Sequence, residues 1–451
     1  MGVFRERRER LAQRYPGKVL LFSGEERSRN YPANLYPFRA SSHFLYFCGL
    51  AEPHAAFLLE EAGTTLFYDL PSADEAVWTG RPFGLEELLE GCEVDQVRPW
   101  SELKNGLGSG VAGLPPVDHR TAERSRGLLG REIDLSRDGP DRRLAMAVIE
   151  LRLRHDAGAL AQLREAARVT VLAHQTGMAA CRPGVGEYQV YAEMLATCAR
   201  HRCTTSFEPI VSVHGEVLHK PHRRHLLRAG DQLLADKGAE TAEGWAGDVT
   251  RTYPVDGRFT PRQKDVYQAV LEAQRAAIGQ IRPGVRYRDV HMASCRSLAA
   301  SLVELGLLRG DADGLVERGA HTLFFPHGVG HLVGLDVHDM EDLGDLAGYA
   351  PGRQRSERFG LGYLRLDRDL EPGMLVTVEP GFYSIPELLD DPERIEPLRD
   401  CLDMERTQPF RKEVRGIRIE DEILVTESGG ENLTAQLTKE VAEIESLTAI
   451  A

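Results

Sequence analysis

The feature that most constrains this chain is a group of carboxylates lying inside, or at the end of, runs that otherwise read as buried β-strand. Asp231-Gln-Leu-Leu-Ala-Asp-Lys-Gly238 carries Asp236, and Trp245-Ala-Gly-Asp-Val-Thr-Arg-Thr252 carries Asp248. Leu375-Val-Thr-Val-Glu-Pro-Gly381 ends on Glu379, and Gly416-Ile-Arg-Ile-Glu-Asp-Glu-Ile-Leu-Val425 contains Glu420. An ionised carboxylate removed from water without a partner is strongly destabilising, so a fold that takes in four of them must bring each a cation or a donor.

Local pairing offers some partners. Strand alternation points Arg418 and Glu420 to the same face, so an ion pair between them is one reading. The Thr241–Gly244 stretch supplies a turn, and a hairpin centred near residue 242 would set Asp236 opposite Asp248, about 5 Å apart, where two carboxylates call for a cation. The alternative is that each aspartate caps or ends a strand in solvent. His327-Gly-Val-Gly-His331 adds two histidines beside glycines, and His338 follows in Leu335-Asp-Val-His-Asp339. With no Glu between the histidines this is not the zinc-protease HExxH pattern, and taken alone the segment reads as a polar loop. Together, two Asp, one His and two Glu offer four carboxylates and an imidazole, a donor set suited to Mn²⁺, with Zn²⁺ or Co²⁺ as alternatives. Four negative charges balance two divalent cations, and a water shared between two such ions becomes a nucleophile near neutral pH, which points to metal-assisted hydrolysis.

Charge and cysteine usage narrow the setting. The chain has 55 Lys and Arg against 69 Asp and Glu, a net charge of −14, which disfavours nucleic acid and anionic lipid as partners. No apolar run approaches the roughly 18 residues of a membrane helix, and MGVFRERRERLAQRYPGK has no apolar core behind its basic residues. Glu6 also stands where a myristoylation signal needs Ser or Thr. The seven cysteines are odd in number and form no CxxC, so a reducing, cytoplasmic compartment is expected.

Texture divides the chain near residue 150. Residues 1–150 mix strand-like runs, Lys18–Phe22 and Ala55–Leu59, with helical pieces and a loose Gly/Pro stretch over 105–116, as in a small α/β domain. Residues 151–451 open on a helical pattern from Asp156 through Leu160, Leu163, Ala166 and Val169 to about Gly184. Thr260-Pro-Arg-Gln263 is a capping box with Pro at the first helical position, ahead of Val266, Val270, Ala273 and Ile278, and a further helix is expected over 287–306. Strand-like runs at 205–219, 231–238, 244–253, 374–380 and 415–426 make this second domain α+β. No internal repeat is visible.

The order Asp236, Asp248, His331, Glu379, Glu420, with the flanking strings GDVTRTYPVDGRFT, FFPHGVGHLVGLDVHD, LEPGMLVTVEPGFY and RIEDEILVTESGGENLT, closely resembles the Xaa-Pro peptidase family, aminopeptidase P and prolidase, on the pita-bread fold. PFRASSHFLYFCGLAEPHAAFLL resembles the creatinase/prolidase-type amino-terminal domain of the same enzymes. The resemblance implies a pita-bread metallopeptidase domain over 151–451 behind an α/β domain over 1–150. It implies that Asp236 chelates one of two metal ions, Asp248 and Glu420 bridge both, and His331 and Glu379 complete the second site. Glu379 would also move the proton between water and leaving nitrogen. His219 would lie by the scissile bond, His338 would stabilise the tetrahedral intermediate, His327 would line the pocket, and Arg418 would stand near the proline side.

Two departures stand out. The Asp236–Asp248 interval is one residue longer than usual, and Lys237 occupies a place where a small residue is usual. Implied partners are proline-containing peptides and further copies of the chain, as a dimer or tetramer. The ending TESGGENLT looks like bacterial aminopeptidase P, whereas the long segments between Asp339 and Leu370 and from Ile385 to Arg411 look like prolidase; the expectation is an aminopeptidase, with a dipeptidase as alternative. A metal-free binding module on the same fold is set aside because all five ligands are present. The extra amino-terminal domain argues against methionine aminopeptidase, and the ligand set argues against creatinase.

Overall fold

The computed structural model describes residues 2–81, 83–107, 109–219 and 222–448, and the chain forms two compact units. The first holds the residues up to Leu153 together with Met340–Ala347; the second holds Arg154–Asp339 and the residues from Gly348 onward. The segment 340–347, read from sequence with the second domain, thus belongs to the first unit, where Asp342 Oδ2 lies 2.9 Å from His43 Nε2.

The first unit is built on a five-stranded sheet of β1 (Val19–Phe22), β2 (Ala56–Glu60), β3 (Gly63–Phe67), β4 (Gln96–Arg98) and β5 (Ala112–Gly113), in the order β4-β3-β2-β1-β5. The apolar runs of β1 and β2 pair antiparallel, with Val19 opposite Leu59, and a two-residue turn leads from β2 into β3. Leu20, Phe22, Leu58 and Phe67 form a core with Leu103, Leu107 and Val111. The stretch expected to be loose, 105–116, contains β5, which pairs parallel to β1 through two residues. So short a strand has no periodicity of its own to betray it.

The second unit repeats one motif of elements: a pair of packed helices followed by strands. Helix Ala157–Ala180 starts where Asp156 accepts the Ala159 N–H, and it buries Leu163, Ala166 and Val169. It packs beside Glu187–Arg200 and leads to β6 (Thr204–Thr205), β7 (Ile210–Ser212), β8 (Gln232–Lys237), β9 (Ala239–Glu240) and β10 (Val249–Pro254). Helix Pro261–Ile278 begins at the expected capping box, with Thr260 and Gln263 bonded reciprocally, and packs on Tyr287–Glu304. Then follow β11 (Leu375–Val378), β12 (Gly381–Tyr383), β13 (Gly416–Arg418), β14 (Asp421–Thr426) and β15 (Gly429–Asn432). Sheets β10-β8-β7 and β11-β14-β15 are antiparallel, as are the pairs β12-β13 and β6-β9. The carboxylates of interest sit on β8 or within two residues of β10, β11, β13 and β14. Among the described residues no helix is long and apolar enough to cross a membrane.

Candidate metal centre

The β8–β10 hairpin is centred one position later than its sequence implies. Asp236 lies opposite Thr250, and Val249 opposite Lys237, because the turn closes with the Thr241 N–H donating to Trp245 O and the Gly244 N–H to Thr241 O. Asp248, just ahead of β10, therefore stands diagonal to Asp236 and not directly opposite it. A two-residue offset preserves the face, so both carboxylates still reach one space.

Glu420 also differs from the local expectation. It does not pair with Arg418: its Oε2 accepts from Thr250 Oγ1 at 2.7 Å. The Arg418 guanidinium instead binds Asp236 Oδ2, donates Nη1–H to Tyr383 OH at 3.0 Å and donates Nε–H to Thr250 Oγ1 at 3.1 Å. Glu379 follows β11 directly, its Oε1 3.6 Å from His331 Nε2.

His331 is held in one orientation. Its Nδ1–H donates to Leu332 O at 3.0 Å, which turns Nε2 toward Asp248 Oδ2 at 3.4 Å. The glycine before it is needed for close approach, since a Cβ on Gly330 would come within 2.3 Å of Thr377 O and 2.4 Å of Tyr287 Oη. The His338 ring packs edge-on against His331, 4.2 Å between centroids. His327 sits between Gly328 O at 2.7 Å and Tyr383 OH at 2.8 Å.

All nine residues singled out in the sequence, His219, Asp236, Asp248, His327, His331, His338, Glu379, Arg418 and Glu420, border one cavity of about 630 Å³. Burial and the neighbouring carboxylates push Asp248 and Glu420 well above the ordinary carboxylate range, and burial raises Glu379. Burial, with Arg418 nearby, lowers His219 and takes His327 down to about 3.

The donor set fits a divalent cation. Asp236 Oδ1, Asp248 Oδ1 and Glu420 Oε1 are buried without a hydrogen-bond partner, and ligand atoms of Asp248, His331 and Glu420 lie within 4.8 Å of one another. Buried oxygens of that kind are ordinarily satisfied, so three on one cavity, two of them from residues grouped with the His331 imidazole, mark a place for positive charge; Asp236 and Glu379 border the cavity outside that close group.

Sequence reasoning missed several residues at this site. Thr250 and Tyr383 tie the carboxylates to Arg418 and His327; Thr250 shares the strand face of Asp248, a period-two signal that was available. Glu422 accepts the Asp248 N–H at 2.9 Å, and burial raises its carboxyl to about 8. Arg365, Phe359 and Tyr363 reach the cavity from a segment without periodicity.

Comparison with known proteins gives the family. The family model for metallopeptidase family M24 matches residues 161–427, and that for the aminopeptidase P N-terminal domain matches residues 4–115. The chain is 34% identical to an Xaa-Pro aminopeptidase of Escherichia coli (strain K12), over 98% of this chain and 97% of that protein. It is 32% identical to an Xaa-Pro dipeptidase of Homo sapiens, over 100% of this chain and 94% of that protein. A zinc-substituted E. coli aminopeptidase P in complex with product superposes with a TM-score of 0.80 at 31% identity, covering 99% of this chain and 97% of that one. The fold is accordingly the α+β pita-bread architecture with its α/β amino-terminal domain, and the chain belongs to metallopeptidase family M24.

Proposed function

We propose that this metallopeptidase is an Xaa-Pro aminopeptidase, cleaving the bond between a first residue and proline in peptides longer than two residues. The observation that carries the reading is the single cavity bordered by three orphaned carboxylate oxygens, an oriented imidazole and a pinned guanidinium. In this reading Asp236, Asp248, His331, Glu379 and Glu420 would hold two divalent ions, Mn²⁺ or else Zn²⁺ or Co²⁺. Bound there, such ions supply Lewis acidity and a water acidic enough to react at neutral pH.

The side chains perform the rest. Glu379 takes the proton from the attacking water and passes it to the proline nitrogen as the bond breaks. His338 donates to the carbonyl oxygen as it gains charge. His219, kept neutral by burial and by Arg418, borders the scissile bond without adding repulsion against the metal charge. His327, also neutral, and Arg418 flank the proline, with apolar walls from Phe359, Tyr363, Ile385 and Leu388. A proline amide has no N–H and a fixed φ, so a pocket shaped to the ring uses it as a specificity handle.

Arg365 is the observation that speaks for a dipeptidase. It borders the cavity from the long segment between Asp339 and Leu370, and its charge adds to the lowering of His219 and partly opposes the burial that raises Glu379. A site built to pair an arginine with the proline carboxylate rejects extended peptides strongly, because extension leaves the guanidinium uncompensated. The E. coli aminopeptidase relative and structure weigh toward the longer substrate. We expect tri- and tetrapeptides Xaa-Pro-Yaa to be hydrolysed with kcat/KM at least equal to that for the dipeptide sharing their first two residues. Activity confined to the dipeptide, and lost in Arg365→Ala, would make the enzyme a dipeptidase.

A further inference from the structure

Lys237 and Cys198 form a pair that the peptidase reading does not use. Lys237 ends β8 and is 0% exposed; Cys198 lies in the last turn of helix Glu187–Arg200 and is 1% exposed. Lys237 Nζ is 2.9 Å from Cys198 Sγ and 2.9 Å from Gly238 O, and among the described residues it makes no ion pair with a carboxylate. A buried amine ordinarily gains an acidic partner, and sulfur is a weak acceptor, so this contact explains little as a means of satisfying the lysine. What it does provide is a thiol and an amine held so close that one oxygen atom spans them without movement of either backbone.

We propose that Lys237 and Cys198 are a covalent modification site, joined under hydrogen peroxide as a Nζ–O–Sγ cross-link. In the first step Sγ attacks the peroxide O–O bond, giving the sulfenic acid Sγ–O–H and one water. In the second, another peroxide accepts two electrons and the hydrogens of one N–H and of the sulfenic O–H. The N–O bond forms, and that peroxide becomes two waters. Overall, one amine, one thiol and two peroxides yield the N–O–S bridge and three waters. Four equivalents of a small thiol reverse it, returning amine, thiol and one water as two disulfides of the reductant. Cys198 and Lys237 are buried, and residues 199–202, which follow Cys198, are all exposed, so the pair lies beside a surface segment of the chain. Cys203 is the competing partner: its backbone N–H donates to Cys198 O at 2.9 Å. The cross-link would clamp the helix to the strand carrying Asp236, one residue away.

The test is peptide mass spectrometry of the full chain, reduced, exposed to hydrogen peroxide and digested with trypsin without further reduction. We expect the Cys198 peptide joined to the Lys237 peptide with a gain of one oxygen and loss of two hydrogens, no cleavage after Lys237, and release by thiol reductant. The species should persist in Cys203→Ser and disappear in Cys198→Ser and Lys237→Arg. A Cys198–Cys203 disulfide with Lys237 unmodified, a sulfinic or sulfonic Cys198 without attachment, or no change would overturn the proposal. Should Lys237→Arg fail to fold, fragmentation of the wild-type and Cys203→Ser cross-links reads the joined atoms directly and decides it.

Discussion

Asp248 illustrates how much a single side chain carries. Its Oδ2 faces His331 Nε2, its Oδ1 has no donor, and its own N–H is taken up by Glu422. Under the proposed function, a direct metal ligand should matter more to activity than the roughly 10–100-fold typical of outer-shell partners. We expect Asp248→Asn and Glu420→Gln to lose more than that in kcat/KM, while the Tm of the metal-free protein stays level or rises near neutral pH, because each amide replaces a buried carboxyl that must take up a proton to fold without metal. Metal content by elemental analysis and Tm under chelation check both halves; unchanged turnover in Asp248→Asn would sink the ligand assignment. At this scale the sequence was legible for residue type and poorly legible for partner. Arg418 and Glu420 share a face, as alternation required, yet the guanidinium goes to Asp236 and Glu420 goes to Thr250.

Among the elements, the β8–β10 hairpin and the turn into His331 do the positioning. Apolar runs and the capping box at Thr260 marked the strands and helices well, since each is a local pattern. The hairpin centre was less legible, because turn bonds around Thr241–Gly244 select the register and composition does not announce them. Gly330 belongs here too, at the crossing of the His331 turn with β11. We expect Gly330→Ala to destabilise by about 1–3 kcal/mol through overpacking against Thr377 and Tyr287, and to weaken metal binding by displacing His331. Denaturant unfolding with parallel metal titration separates the two effects; a variant with wild-type stability and affinity would show that the backbone there yields.

For the whole molecule, the buried acidic cluster links metal, pH and stability. Asp248, Glu420 and Glu379 titrate higher in the folded protein than in the unfolded chain, and Glu422 reaches about 8. Without metal these groups favour the folded state most in acid, and that contribution is lost as pH rises through their raised values. Bound cations hold the carboxylates ionised and remove the loss. We expect the Tm difference between metal-loaded and chelator-treated protein to widen from about pH 5 to about pH 8; a constant gap would contradict a buried, protonated apo cluster. The repeated order of helix pair and strands was invisible in sequence because it recurs in elements and not in residues. The sequence by itself determined which residue types lie on buried strands and, through the motifs around them, the family to which the chain belongs, since both are written in local patterns of residue type. Only the tertiary structure decided that Asp236 and Asp248 meet on the diagonal, that Tyr383 and Thr250 bind Arg418, and that Arg365 enters the cavity, because register and long-range contact are set by packing between segments far apart in the chain.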